Sequence, residues 1–161
     1  MIETVTNEFA DPFGHLSAET VLLRLLAAVT FGAIIGWERE RHHKPAGLRT
    51  HILIAVAACL FTLIALDLLE TMRGDHIRAD PLRLIEAITA GVAFLAAGAI
   101  IKSGGSVHGL TTGAGMWLAG AAGLAAGNGR IVLAGVATLL ALVVLWLMRR
   151  LEKALGHDKG D

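Results

Sequence analysis

Long apolar segments alternate with short polar segments along this chain. Five stretches contain no Asp, Glu, Lys or Arg, namely residues 25–37, 50–66, 87–101, 103–129 and 131–148. Each stretch, alone or with its flanks, approaches the roughly 20 residues that a helix needs to cross a bilayer. We therefore predict an all-α membrane protein with five transmembrane helices, near residues 18–37, 49–69, 82–101, 109–127 and 130–148.

Basic residues between the predicted helices indicate their orientation. Lys and Arg are concentrated around the first and third loops and after the last helix, at Arg39, Arg41, Lys44, Arg49, Lys102, Arg149, Arg150, Lys153 and Lys159. The opposite side carries Arg73, Arg78, Arg83 and Arg130. The positive-inside rule then predicts an N-terminus outside and a C-terminus in the cytoplasm. The chain divides into an extracytoplasmic segment 1–17, a transmembrane domain 18–148 and a short cytoplasmic tail 149–161.

Composition supports a membrane location and narrows the function classes. The chain is 55% hydrophobic with a mean hydropathy of +0.64, which is too apolar for a soluble fold of this size. We expect no nucleic-acid partner, because the formal net charge is zero and no basic helix is present. No hydrolase motif or metal-ligand spacing of histidines is visible, so we expect neither an enzyme nor a cofactor and leave metal binding open.

A short sequence recurs and suggests a duplication. Gly-Ala-Ile-Ile occurs at residues 32–35 and 98–101, and Gly-Leu-x-Thr follows at residues 47–50 and 109–112. In each copy an apolar helix ends, a polar loop follows and a second helix begins at Gly-Leu-x-Thr. We interpret this pattern as a parallel duplication of helices 1–2 and 3–4, with both loops on one side of the membrane. Coincidence in a chain rich in Gly, Ala and Ile is the alternative.

The first loop, residues 36–51, is dense in charges of both signs. One interpretation is a solvated turn whose basic residues touch anionic lipid, and the other is a fixed charge constellation at the mouth of a cavity. Arg49 is the leading candidate in the second case, because a guanidinium can bind Glu38 in a two-point geometry that lysine cannot reproduce. We predict a functional centre on the cytoplasmic side that comprises Glu38, Arg39, Arg49, Thr50, Lys102, Thr111 and Thr112. The two helix N-termini at Gly-Leu-x-Thr could also hold an anion there.

Small residues form a stripe along the fourth predicted helix. They recur every fourth position after Thr111, at Gly115, Ala119, Gly123 and Gly127. Such a stripe lets helix backbones approach closely in lipid. Packing within one chain and pairing between two chains predict the same stripe, so both remain open.

Three ionisable residues lie within the predicted spans near their outer ends, at Arg24, Asp67 and Glu86. An unpaired charge in lipid costs at least about 2.5–3.5 kcal/mol, so we expect Arg24 to face protein and find a carboxylate. Arg24 lies at a depth in its helix similar to that of Glu86, whose helix is predicted to begin after an Asp80 cap. The alternatives are a structural ion pair and an outward-facing cation or proton site.

Several ordered motifs resemble the MgtC/SapB membrane domain. They are Gly36-x-Glu38-Arg39, Ala46-Gly47-Leu48-Arg49-Thr50, Asp80-Pro81-x-Arg83, Gly91-x-x-Phe94-Leu95-x-x-Gly98-Ala99, and Gly109-Leu110-Thr111-Thr112 followed by Trp117. The resemblance covers about residues 20 to 148. It departs from the family pattern at Thr111, Leu118, Ala93 and Ala96, where members often have Asn, Cys, Gly and Gly. We expect a short form without the ACT-like C-terminal domain of MgtC-like proteins.

The resemblance implies a multi-pass protein of the bacterial inner membrane. Better-known members are linked to growth under magnesium limitation, to virulence and to restraint of the F-type ATP synthase. We expect a regulatory or scaffolding membrane subunit, with membrane lipid, a homo-oligomer (a dimer favoured) and another membrane protein such as the F-type ATP synthase as partners. The alternative is a component of a transporter or channel for magnesium or another cation that acts as an oligomer.

Overall fold

The computed structural model describes residues 13–71, 80–103 and 105–155. This part of the chain forms helices α1 (Ala18–Arg41), α2 (Leu48–Thr71), α3 (Pro81–Gly98), α4 (Leu110–Gly127) and α5 (Ile131–Ala154). A short antiparallel hairpin of β1 (Ile101–Ser103) and β2 (Ser106–His108) joins α3 to α4. The prediction of a helical protein is confirmed. The hairpin was not predicted, since the sequence indicated only a polar loop there.

Three of the helices are long and apolar enough to cross a membrane, namely α1, α2 and α5. Each has 24 residues and is about 36 Å long at the helical rise, which exceeds the roughly 30 Å of a hydrocarbon core. Helices α3 and α4 have 18 residues each and are about 27 Å long. The α5 helix extends six residues beyond the predicted end of the last span at residue 148 and includes Arg149 and Arg150.

The starts of the helices follow from local capping. Ser17 accepts a hydrogen bond from the Thr20 N–H before α1, and Asp80 accepts one from the Leu82 N–H before α3. Helices α2 and α4 both begin directly after the glycine of Gly-Leu-x-Thr, as the sequence predicts. Gly109 has φ +86°, and a side chain at this position would overlap the Ala99 carbonyl oxygen. The turn into α4 therefore requires glycine.

The Gly-Ala-Ile-Ile copies occupy different structural places. The first lies inside α1, where a Cβ on Gly32 would be 2.8 Å from the His51 carbonyl oxygen of α2. The second begins at Gly98, the last residue of α3, and ends in β1, and a Cβ on Gly98 would meet no atom within 4 Å. The two helix pairs therefore resemble each other at the Gly-Leu-x-Thr helix starts more than at the preceding tetrapeptide.

Helix α4 is the centre of the bundle and contacts each of the other four helices. Its small residues lie against α2 of the same chain. A Cβ on Gly123 would overlap the Ala55 carbonyl oxygen, one on Gly127 would be 2.8 Å from the Cys59 carbonyl oxygen, and Ala119 is fully buried. The stripe is thus used for packing inside the chain. Helix α3 packs mainly on α4 and barely touches α2, which leaves an apolar cleft of about 480 Å³ between α2 and α3.

Candidate functional site

Four side chains meet where α1 and α5 end, and we call them the Glu38 cluster: Glu38, Arg39, His42 and Arg149. Glu38 and Arg39 are buried in the last turns of α1, and the Arg39 Nε donates a hydrogen bond to Glu38 Oε2 at 2.5 Å. Arg149 reaches across from α5 and donates to the other carboxylate oxygen, Oε1. One carboxylate therefore holds two guanidinium groups, which is a charge-assisted arrangement with a net positive charge.

His42 completes the cluster just beyond the end of α1. Its Nδ1 lies 3.0 Å from Arg149 Nη1 and 3.5 Å from Glu38 Oε1. Partial burial lowers the pKa of His42 below its usual value, and the positive charges of Arg39, Arg41, Lys44 and Lys153 lower it further. The imidazole is therefore held mainly neutral near pH 7, and the positive charge of the cluster resides on the two arginines.

A second set of buried polar groups lies deeper, where α1, α2 and α4 meet. The Nδ1 of His51 bonds to the Gly47 carbonyl oxygen at 2.8 Å, and because a carbonyl only accepts, Nδ1 is the donor. The Nε2 of His51 is then an acceptor, and it is buried without a hydrogen-bond partner in the described part of the chain. A Cβ on Gly115 would be 3.1 Å from this Nε2 and 3.8 Å from Arg39 Cδ. Glycine at 115 therefore makes room for the His51 imidazole, whereas the distance to Arg39 is an ordinary contact.

Thr112 belongs to the same region, one turn before Gly115 on α4. It is buried, and its hydroxyl oxygen also has no hydrogen-bond partner among the described residues. Unpaired buried polar atoms cost about 1–3 kcal/mol each, so such atoms are uncommon where only packing matters. The His51 imidazole near Arg39 and the Thr112 hydroxyl extend the polar region from the helix ends toward the middle of the bundle.

The other residues of the predicted cytoplasmic cluster lie further out. Arg49, Lys102 and Thr111 are exposed, and Thr50 is half-buried. In the structure Glu38 forms ion pairs with Arg39 and Arg149, whereas the sequence analysis expected Arg49 to bind Glu38 in a two-point geometry. The predicted anion position at the start of α2 is filled from within the chain, because Glu40 Oε2 accepts a hydrogen bond from the Leu48 N–H at 2.9 Å.

Two of the three ionisable residues near the other end of the bundle have separate partners. Arg24 Nη1 donates to the Gly127 carbonyl oxygen at 2.7 Å, at the C-terminus of α4, and does not reach the carboxylate that we expected. Helix C-termini favour a positive charge, so this contact stabilises the end of α4. Asp67 Oδ1 accepts a hydrogen bond from the His15 N–H at 3.1 Å, and Glu86 is exposed. Within the described ranges no group of three or more His, Cys, Asp or Glu side chains is placed to hold a metal ion.

Sequence analysis missed Arg149, His42 and His51. One signal could have found Arg149: residues 149–154 are Arg-Arg-Leu-Glu-Lys-Ala, all good helix formers without a break before Gly156. An extended α5 places Arg149 seven residues, or two turns, after Leu142 on the same helix face. No comparable signal identifies its partner on α1.

The comparisons with known proteins show the family to which the chain belongs. The sequence model of the MgtC family matches residues 25–154. The chain is 39% identical over 144 residues to the protein MgtC of Brucella abortus (strain 2308), which covers 89% of this chain and 56% of that protein. It is 38% identical over 141 residues to the protein SapB of Bacillus subtilis (strain 168), with 86% and 61% covered.

A third relative carries a name that refers to transport. YhiD of Escherichia coli (strain K12) is named as a candidate magnesium transporter. The chain is 35% identical to it over 137 residues, with 84% of this chain and 63% of that protein covered. The chain thus spans 56% to 63% of the length of these three relatives. No solved structure shows significant similarity to it. The family match over residues 25–154 and these identities show that the chain is a membrane protein of the MgtC family.

Proposed function

We propose that this protein is a regulatory or scaffolding membrane subunit that serves magnesium homeostasis by binding another membrane protein. The observation that carries the proposal is the Glu38 carboxylate held between Arg39 and Arg149. Mg²⁺ prefers free carboxylate and water oxygens, but both oxygens of Glu38 already accept hydrogen bonds from guanidinium groups. The net positive charge of the cluster also repels a divalent cation. The cluster is therefore suited to fix the ends of α1 and α5 as a rigid surface.

The proposal includes a location and an orientation. All five helices would cross the bacterial inner membrane, with the N-terminus outside and the Glu38 cluster on the cytoplasmic side. The support is the concentration of basic residues at this end, together with three helices of sufficient length and apolarity. Outward-facing apolar residues such as Phe94 and Val132, which are 80% and 82% exposed, would then contact lipid or a partner helix.

The partner that the family resemblance favours is the F-type ATP synthase. ATP-driven proton pumping in inverted membrane vesicles, followed with a pH-sensitive dye, tests this partner. We expect slower pumping when the protein is present and normal pumping when the Glu38→Gln variant replaces it at equal abundance. Equal pumping with and without the protein would direct the search to another membrane partner.

Growth in low magnesium tests the role of the cluster. In a bacterium that lacks its own MgtC-family protein, we expect the unmodified chain to restore growth, and Glu38→Gln and Arg39→Lys to fail at normal membrane abundance. Glu152→Gln and Arg49→Lys are matched controls, because both side chains are exposed and should tolerate the change. Full growth with both cluster variants would contradict a functional role for the cluster.

The second candidate function is cation transport, and the name of the YhiD relative is the observation in its favour. Purified protein in liposomes that contain a magnesium-sensitive or a pH-sensitive dye distinguishes the two functions. A regulatory subunit should give no flux above that of empty liposomes. A magnesium flux that Glu38→Gln abolishes would establish transport and overturn the regulatory proposal.

A further inference from the structure

A cleft of about 560 Å³ opens between α1 and α5 beside the Glu38 cluster. Its floor is apolar and is formed by Ala33, Ile34 and Leu142. Its mouth carries Arg41 and Arg149, which lie two turns further toward the ends of the same helices. The cleft therefore changes from apolar to basic along the helix axis, in the direction from the middle of the bundle to its end.

The mouth of the cleft has a net positive charge. Glu38 also lines the cleft, but the buried Arg39 neutralises this carboxylate from the protein side. Arg149 shares the same carboxylate and Arg41 adds a further positive charge, so the mouth keeps a net positive charge. The side chain of Arg149 is 30% exposed, and both its bond to Glu38 and its 3.0 Å contact with His42 Nδ1 use Nη1. A guanidinium carries five N–H donors, so Arg149 retains capacity to bind an anion.

Trp37 marks the depth of the mouth. This residue lines the cleft, is 57% exposed and lies between Ile34 and Arg41 along α1. Tryptophan is enriched at the level of lipid headgroups, where its ring is apolar and its N–H is polar. A helix that crosses a membrane would thus place the floor in the acyl region and the basic mouth among the phosphates.

We propose that this cleft binds one anionic phospholipid, with an acyl chain against Ala33, Ile34 and Leu142 and the phosphate at Arg41 and Arg149. Arginine binds phosphate oxygens in a two-point geometry, and basic pockets between membrane helices are suited to acidic headgroups. Both leaflets contain phospholipid, so the proposal does not depend on the orientation of the chain. It also does not depend on the regulatory function.

Lipid titration tests the proposal on the full chain, delipidated in a neutral detergent. Native mass spectrometry should show one bound phosphatidylglycerol that saturates, and phosphatidylcholine should bind much more weakly. Arg41→Gln should weaken phosphatidylglycerol binding about fivefold, the effect of one basic side chain at a membrane surface. Arg83→Gln is the matched control, because Arg83 is an exposed arginine near the opposite end of the bundle and should not affect binding.

Two further measurements distinguish a bound lipid headgroup from a free phosphate ion. Ala33→Phe fills the floor and should weaken phosphatidylglycerol binding as well, whereas inorganic phosphate at the same concentration should not protect the protein from thermal unfolding. Protection by inorganic phosphate equal to that by the lipid would overturn the proposal in favour of an anion site. Equal binding of phosphatidylcholine, or unchanged binding by Arg41→Gln, would overturn it too. Arg41 is exposed, so this variant decides the outcome even if Ala33→Phe fails to fold.

Discussion

Arg149 on α5 donates a hydrogen bond to Glu38 on α1, across 111 positions of the chain. The buried residues of α5 are Ala134 and Thr138, both in its first half. No residue in the second half of α5 is fully buried, and this ion pair adds to its contact with α1. The pair joins α1 to α5 at the end that carries the proposed functional site.

The two partners of Glu38 should differ in their contribution to stability. Glu38→Gln leaves the Arg39 guanidinium buried without a counter-charge and should lower the free energy of unfolding by about 3 kcal/mol. Arg149→Gln removes a partly exposed partner while Glu38 keeps Arg39, so the loss should be only about 1 kcal/mol. Thermal unfolding of the protein in detergent measures both changes.

Arg150→Gln is the control for this comparison, because Arg150 is the exposed neighbour of Arg149 and lies over the Trp146 ring at 5.2 Å. Its loss should cost less than that of Arg149. If Arg149→Gln destabilised the protein more than Glu38→Gln, the assignment of Arg39 as the main partner of Glu38 would be wrong.

Close packing between α2 and α4 should make Gly123 intolerant of any side chain. A Cβ at this position would overlap the Ala55 carbonyl oxygen, and backbone cannot move aside as a flexible side chain can. Gly123→Ala should therefore destabilise the protein by about 1–3 kcal/mol or prevent folding. Gly91→Ala is the control, because a Cβ on Gly91 of α3 would meet no atom within 4 Å.

The same pair of variants separates packing inside the chain from pairing between chains. If the stripe packs inside the chain, Gly123→Ala should lower the unfolding temperature and leave the mass of the folded fraction unchanged. A stable protein whose oligomeric mass falls would show instead that the stripe joins two chains.

The contact between Arg24 and the end of α4 should contribute more to the stability of the protein than an exposed arginine at the same end does. Arg24→Met removes the hydrogen bond to the Gly127 carbonyl oxygen and the positive charge at a helix C-terminus, so we expect a loss of about 1–2 kcal/mol. Arg130→Met at the same end should be nearly neutral, because Arg130 is exposed.

Glu86→Gln tests the alternative partner of Arg24. We expect no change in unfolding temperature, since Glu86 is exposed and the Arg24 guanidinium binds a backbone carbonyl. A loss equal to that of Arg24→Met, together with no further loss in the double variant, would restore the ion pair that the sequence suggested.

The sequence predicted the positions of the helices better than the side-chain contacts between them. Apolar runs, the Asp80 cap and the Gly-Leu-x-Thr motifs are local features, and each of them marks a helix or its start in the structure. Which arginine binds Glu38 depends on the relative placement of α1 and α5, which local patterns do not encode. The sequence analysis favoured Arg49 in the first loop, whereas the fold brings Arg39 and Arg149 to Glu38.

The repeated tetrapeptide shows a second limit of sequence reasoning. Identical residues at 32–35 and 98–101 indicate equal roles, yet the first copy is packed on α2 and the second ends a helix and enters a hairpin. Gly105, with φ +85°, lies in the tight turn between β1 and β2. A turn signal was therefore present, but no alternation of apolar and polar residues accompanied it.

The proposed orientation predicts which loops react with a membrane-impermeant thiol reagent. The native Cys59 is buried, so single cysteines can be introduced into a Cys59→Ala background. His43→Cys and Ser106→Cys, both at exposed positions near the Glu38 cluster end, should react only after the inner membrane is opened. Asp80→Cys, exposed before α3, should react in intact cells with a permeabilised outer membrane. Opposite results for His43→Cys and Ser106→Cys would rule out the parallel arrangement of the two helix pairs, whereas reversal of all three would keep the arrangement and invert the chain in the membrane.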